Sequence, residues 1–217
     1  MELYNTEEEQ VQAIKKWWKD NAVSLIVGVV IAVSIIGGYR YWTDYKQTNA
    51  QQASVLYSKT LSANAEYKVL NTETLKSDFS ATPYAALASL MLAKEYINNN
   101  DVDKAVSEFD WVIKNANDDA VMHIAQQRLA RVYLSQNKTA EAEALVKGVK
   151  AEGFAAAYHE INGDINLSKK LIVQAKENYR LALSAMTQSD QRYAIVKMKL
   201  DDLTQASIKT EAGAKEK

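Results

Sequence analysis

The chain has 217 residues, a net charge of −1, no Cys, one Pro and seven Gly. Without Cys there is no disulfide framework or thiol chemistry, and a balanced charge with no basic block lacks the footprint of a nucleic-acid binder. Its many Ala, Leu, Lys, Glu and Gln residues point to an all-α chain, and the roughly 175 residues after residue 42 are enough for one well-buried domain.

Residues 1–20 read as a short cytosolic segment that begins acidic and contains a capping box, Thr6 with Glu9. Residues 21–40 form an apolar run. No charge falls between Asn21 and Tyr39, a stretch of about 19 residues or roughly 28 Å of helix, close to the thickness of a bilayer core. Trp17 and Trp18 stand on one side, and Tyr39, Tyr41 and Trp42 on the other, as aromatic belts do at headgroup level. A cleavable leader starts basic, is shorter and ends in a small-x-small site; this run does none of these, so it reads as a retained single-span anchor. Lys15, Lys16 and Lys19 before the span outnumber Arg40 and Lys46 after it, which favours an N-terminus inside. Ser24, Gly28 and Ala32 recur every four residues and give the span one small face on which another membrane helix could dock.

Residues 44–69 continue in a helical pattern, and "NTETLKSDFSATP" reads as a break holding a short helical turn. Thr82 followed by Pro83 predicts a helix start with a hydroxyl cap. From there the chain repeats. Leu92, Ala93 and Tyr96, then Ala105, Phe109 and Val112, return as Leu129, Ala130 and Tyr133, then Ala142, Val146 and Val149. A weaker third copy carries Gly163, Ala175, Tyr179 and Ala182. The small residues of both helices step by 37 and then 33, and are 12 apart within each copy. That is a helix–turn–helix unit with a period of about 34 residues, the tetratricopeptide spacing. The turns "NNNDVDKA" and "QNKTAEA" carry turn chemistry. Residues 189–203 form a closing helix, capped by Ser189 or Asp190, over the open end of the stack. Residues 43–204 are thus a repeat domain, and 205–217 a disordered tail.

The sequence offers no catalytic or metal-binding constellation. His123 and His159 are far apart, and His159–Glu160 lacks the second His of a zinc-protease helix because residue 163 is Gly. No phosphate-cradling loop and no G-x-S-x-G occur. The expectation is a non-enzyme without cofactor, metal or small-molecule substrate, acting through its surface. Stacked helix pairs form a concave face that binds protein segments. The inward positions of the first helices are Leu90, Lys94 and Ile97, then Gln127, Arg131 and Leu134, then Glu160, Asp164 and Leu167. Their mixed character suits a protein ligand.

The stretches "GGYRYW", "YAALASLMLAKEY", "RLARVYLSQNKTAEAEAL" and "VKAEGFAAAYHEINGD" resemble the YfgM family, the ancillary subunits of the bacterial SecYEG translocon. The resemblance covers residues 1–204. It implies a single-span protein of the Gram-negative inner membrane, N-terminus cytoplasmic and repeat domain periplasmic. It also implies association with SecYEG and with a PpiD-like, membrane-anchored chaperone, so that the protein links translocated chains to periplasmic chaperones. The third repeat departs from the pattern, with Asn162 and Asn166 where Leu and an aromatic are expected. A related repeat domain occurs in a cell-division coordinator, so the alternative is an envelope or cell-division scaffold that self-associates through its repeats.

Overall fold

A computed structural model describes residues 7–215, with side chains as far as Gln205. Among the described residues all regular structure is helical: α1 Glu7–Ser62, α2 Ala65–Asp78, α3 Pro83–Asn98, α4 Val102–Asn115, α5 Asp119–Ser135, α6 Thr139–Val146, α7 Ala155–Ser168, α8 Ile172–Ser184 and α9 Tyr193–Lys215. A 3-10 turn at Glu152–Phe154 leads into α7. The fold is all-α, an N-terminal apolar helix followed by a tetratricopeptide-like solenoid. It divides into two units, one ending at Gln52 and one beginning at Ala53.

The first unit is the greater part of α1. Segments that the sequence separates are one continuous 56-residue helix, because no Pro or C-capping Gly interrupts them and the Gly37–Gly38 pair is tolerated mid-helix. Thr6 of the expected capping box lies outside the described residues. The apolar stretch is long enough to cross a membrane, and none of it is buried. Inside it the Ser34 hydroxyl donates to the Val30 carbonyl at 2.8 Å, so this polar group is satisfied within its own helix. Past the span, the Lys46 ammonium sits 3.8 Å from the Trp42 ring centroid, a cation–π contact. Ser24, Gly28 and Ala32 share one exposed stripe.

The second unit opens with the end of α1, where Ala53, Leu56 and Tyr57 pack with Leu75, Ala85 and Ala88. The helix break falls at Ala63–Asn64, where the Asn64 side chain caps α2 by accepting from the Tyr67 N–H at 3.0 Å. This corrects the expected break at "NTETLKSD". That polar stretch is helical because Thr72 and Leu75 are buried beneath it, and burial overrides weak propensity. Thr82 is the residue before α3 and Pro83 its first position. The Thr82 hydroxyl does not cap α3; it donates back to the Phe79 carbonyl at 2.7 Å and closes the preceding turn.

Three helical hairpins follow, α3/α4, α5/α6 and α7/α8. Each turn places one residue at positive φ: Asn100 at 59°, Asn137 at 60° and Lys170 at 60°. The next N–H reaches back five residues, from Asp101 to Tyr96, Lys138 to Tyr133 and Leu171 to Asn166, at 2.8, 2.9 and 2.8 Å. This is the Schellman stop, repeated with the same 37 and 33 steps as the small residues. Ala93, Ala105, Ala130, Ala142 and Ala175 are wholly buried, which lets paired helices approach closely. One apolar cluster joins α3, α4 and α5 around Phe109 and Leu129. The next joins α5, α6 and α7 around Val146 and Ile161. α9 closes the stack with Val196 against Ala175, Tyr179 and Ala182. Asp190 does not cap this helix; its carboxylate accepts from the Thr187 N–H at 2.6 Å in the preceding turn. α9 runs on over 205–215, where the sequence reads a tail; Ala and Lys there favour helix, and the side chains lie outside the described residues.

Candidate protein-binding surface

The first helix of each hairpin carries the positions that the repeat register turns inward. Leu90, Gln127 and Glu160 occupy one register position and are all buried. Leu90 joins the apolar cluster of the first hairpin, so this position holds neighbouring hairpins together and does not offer open surface. Ile97 and Leu134 are half-buried against the core. Lys94 and Leu167 are exposed.

Arg131, Glu160 and Asp164, though not Lys94, meet in a network with groups from α8, from α9 and from the turn before α9. Arg131 of α5 approaches Glu160 of α7 at 3.4 Å. From the turn that leads into α9, Arg192 Nε donates to Glu160 Oε2 at 2.7 Å, and its Nη2 donates to Oε1. Lys199 donates to Glu160 at 2.9 Å and to both Asp164 oxygens at 2.7 and 2.8 Å. The Tyr179 hydroxyl reaches from α8 to donate to Asp164 at 2.7 Å. Burial of Glu160 pushes its pKa up; the hydrogen bonds from Arg192 and Lys199, with the charges of Lys199 and Arg131, outweigh this and hold it at about 2. Glu160 is therefore ionised at neutral pH and has no exposed surface. Sequence reasoning places Arg131, Glu160 and Asp164 on the inward face as partner contacts, does not foresee that they pair within the stack, and misses Arg192 and Lys199. No periodic signal in the sequence points to these two cations.

A second cluster lies behind it. The Tyr158 hydroxyl donates to Gln126 Oε1 at 2.8 Å and lies 2.8 Å from His123 Nδ1. Burial pushes the Tyr158 phenol up to about 12. His123 also packs on Phe154, with ring centroids 5.2 Å apart. Beside these groups a cavity of about 490 Å³ is lined by Gly153, Phe154, Ala156, Ala157, Met186 and Arg192. Its lining mixes small and apolar residues with the polar Asp190, Gln191 and Arg192.

A tetratricopeptide repeat-like domain family matches residues 15–205. The ancillary SecYEG translocon subunit of Escherichia coli K12 is 30% identical over 210 residues, covering 94% of this chain and 100% of that protein. The chain belongs to the YfgM family. The Haemophilus influenzae ancillary SecYEG translocon subunit is 30% identical over 204 residues, 92% of this chain and 99% of its own. That of Aggregatibacter actinomycetemcomitans is 31% identical over 185 residues, 82% and 90%. No solved structure matches the chain. The match over residues 15–205 takes in both the apolar helix and the repeats of this YfgM-family chain.

Proposed function

We propose that this YfgM-family protein is a membrane-anchored adaptor at the Sec translocon. Residues 21–40 of α1 span the inner membrane with the N-terminus in the cytoplasm, and the solenoid stands in the periplasm. There it binds protein segments and links chains emerging from SecYEG to a PpiD-like chaperone. The observation that carries this reading is the end-to-end match with relatives named as ancillary SecYEG translocon subunits. The Lys15, Lys16 and Lys19 cluster supports the orientation, and a stacked-hairpin surface without a catalytic constellation supports binding over chemistry. The face of Ser24, Gly28 and Ala32 is the proposed contact with a neighbouring membrane helix, and Lys94 and Leu167 are the exposed part of the proposed partner face, with Ile97, Arg131, Leu134 and Asp164 half-buried beside them.

The test is cross-linking in native membranes from a photoreactive residue at Gly28 and another at Lys94. The expected adducts are a translocon subunit from the first and a periplasmic chaperone or translocating chain from the second. Adducts confined to the protein itself or to division proteins would favour the scaffold alternative. Because the chain has no Cys, single introduced cysteines report topology cleanly; labelling of the solenoid from the cytosolic side would overturn the orientation.

A further inference from the structure

The three hairpin turns share one backbone but not one chemistry. After the positive-φ residue, the first carries Asp101-Val102-Asp103 and the second Lys138-Thr139-Ala140. The third carries Leu171-Ile172-Val173, each exposed, with Val173 at 77%, and Leu167 exposed one turn earlier. Two local rules are broken here without compensation from packing. Lys170 holds the left-handed position where Asn stands in the other two turns, and Leu171 takes the N-cap position of α8, where leucine is a poor choice. Local choices that oppose stability and leave aliphatic side chains partly open, Val173 most of all, mark a site kept for function.

The apolar side chains say what covers the tip. Leu171, Ile172 and Val173 are consecutive at a helix start, so they point around the axis rather than along one stripe. A groove on a partner needs a one-sided stripe at i, i+3 and i+4; an all-round apolar tip suits end-on entry into a soft medium. Lys169 and Lys170 border it; Lys169 pairs with Glu143 at 2.6 Å, while Lys170 adds an exposed cation that favours an anionic lipid surface. The chain also carries its own span, and tethering raises the effective concentration of bilayer around a weak interfacial contact.

We propose that the α7–α8 tip, Leu171-Ile172-Val173 with Lys170, inserts into the headgroup region of an anionic bilayer. The proposal rests on the membrane attachment in the functional reading above and not on the translocon. Its test uses the full chain in vesicles of phosphatidylethanolamine and phosphatidylglycerol, with no Sec component present. An environment-sensitive fluorophore is placed at Val173→Cys and, as an internal control, at Ala140→Cys on the matching position of the second turn. The expected result is a blue-shifted probe at position 173, quenched several-fold more by brominated lipid than at 140, and shielded from aqueous iodide. Equal water exposure at the two positions would overturn the proposal. So would shielding that disappears as the protein is diluted in lipid, because contact between copies would then cover the tip. Failure here leaves the adaptor reading standing, and failure of the cross-linking test leaves this one.

Discussion

Tyr179 occupies the space that a side chain at Gly163 would need. A Cβ added to Gly163 would stand 2.5 Å from Tyr179 Cδ1, on a ring that is itself wholly buried. In the earlier hairpins Ala93 clusters with Phe109, and Ala130 with Val146. The third hairpin keeps the same packing with a larger residue on one helix and a smaller one on the other. Its tyrosine then passes beside the glycine to reach Asp164. Gly163→Ala is expected to cost about 1–3 kcal/mol through overpacking, read as a lower melting temperature of the full chain in detergent. Combined with Tyr179→Val, it should cost clearly less than the sum of the two single changes. Simple additivity would show that the two residues do not share that space.

This contact shows what the sequence displays and what it hides. Ala93, Ala130 and Gly163 announce the hairpins because a close helix pair requires a small residue at a fixed phase. The apolar span and its aromatic collars are equally legible, since the bilayer sets their length. The break at Ala63–Asn64 is not, because it contains neither Gly nor Pro and depends on one Asn side chain. Nor is the Glu160 network. Its partners Arg192 and Lys199 lie 32 and 39 residues away in sequence, and charge has no period that would reveal them. Leu90 and Gln127 sit at inward register positions, yet neighbouring hairpins close over them, which only three-dimensional stacking decides.

Glu160 should make stability depend on pH in a defined window. Its carboxyl is held at about 2, below its ordinary value of 4.5, so its contribution is complete above that ordinary value and fades as pH falls toward 2. The contribution is about 3 kcal/mol for a fully buried group. Glu160→Gln is expected to destabilise by about 3–5 kcal/mol at neutral pH, because it leaves Arg131, Arg192 and Lys199 without their shared anion. Unfolding curves between pH 7 and 2 should be steeper for the parent than for the variant. Parallel curves would remove Glu160 as the source.

Lys170 offers an independent gain. It holds φ 60° where the other two turns have Asn, a conformation that hinders a long side chain and that glycine adopts freely. Lys170→Gly is expected to stabilise the chain by about 1 kcal/mol. At the matching place Asn137→Lys should destabilise by a smaller amount, because Asn tolerates this conformation better than Lys but already carries a Cβ. Thermal melts of both variants measure this directly, and a loss of stability in Lys170→Gly would mean that the lysine side chain has a stabilising contact stronger than its backbone strain.

At the other end of the solenoid Lys76 of α2 meets Glu108 of α4 at 3.1 Å, with side chains only 13% and 9% exposed. Burial lowers the lysine pKa, but hydrogen bonding to Glu73 and the charge and hydrogen bond of Glu108 outweigh it, so the net direction is up. Lys76 also adds a bond to Glu73 at 2.8 Å and lies 5.4 Å from the Trp111 ring centroid. A pair this enclosed gains Coulomb energy but has lost most of its hydration, so its net worth is small while either half alone is costly. Glu108→Leu is therefore expected to destabilise by about 3 kcal/mol, because it strands a buried ammonium with only the exposed Glu73 as partner. Lys76→Met should do the same from the other side. Together the two changes should return the melting temperature close to the parent, since Met and Leu can pack against Trp111 without a charge to solvate. A double variant as unstable as the two single changes added together would mean that the ion pair itself, and not merely the avoidance of a lone charge, joins α2 to α4.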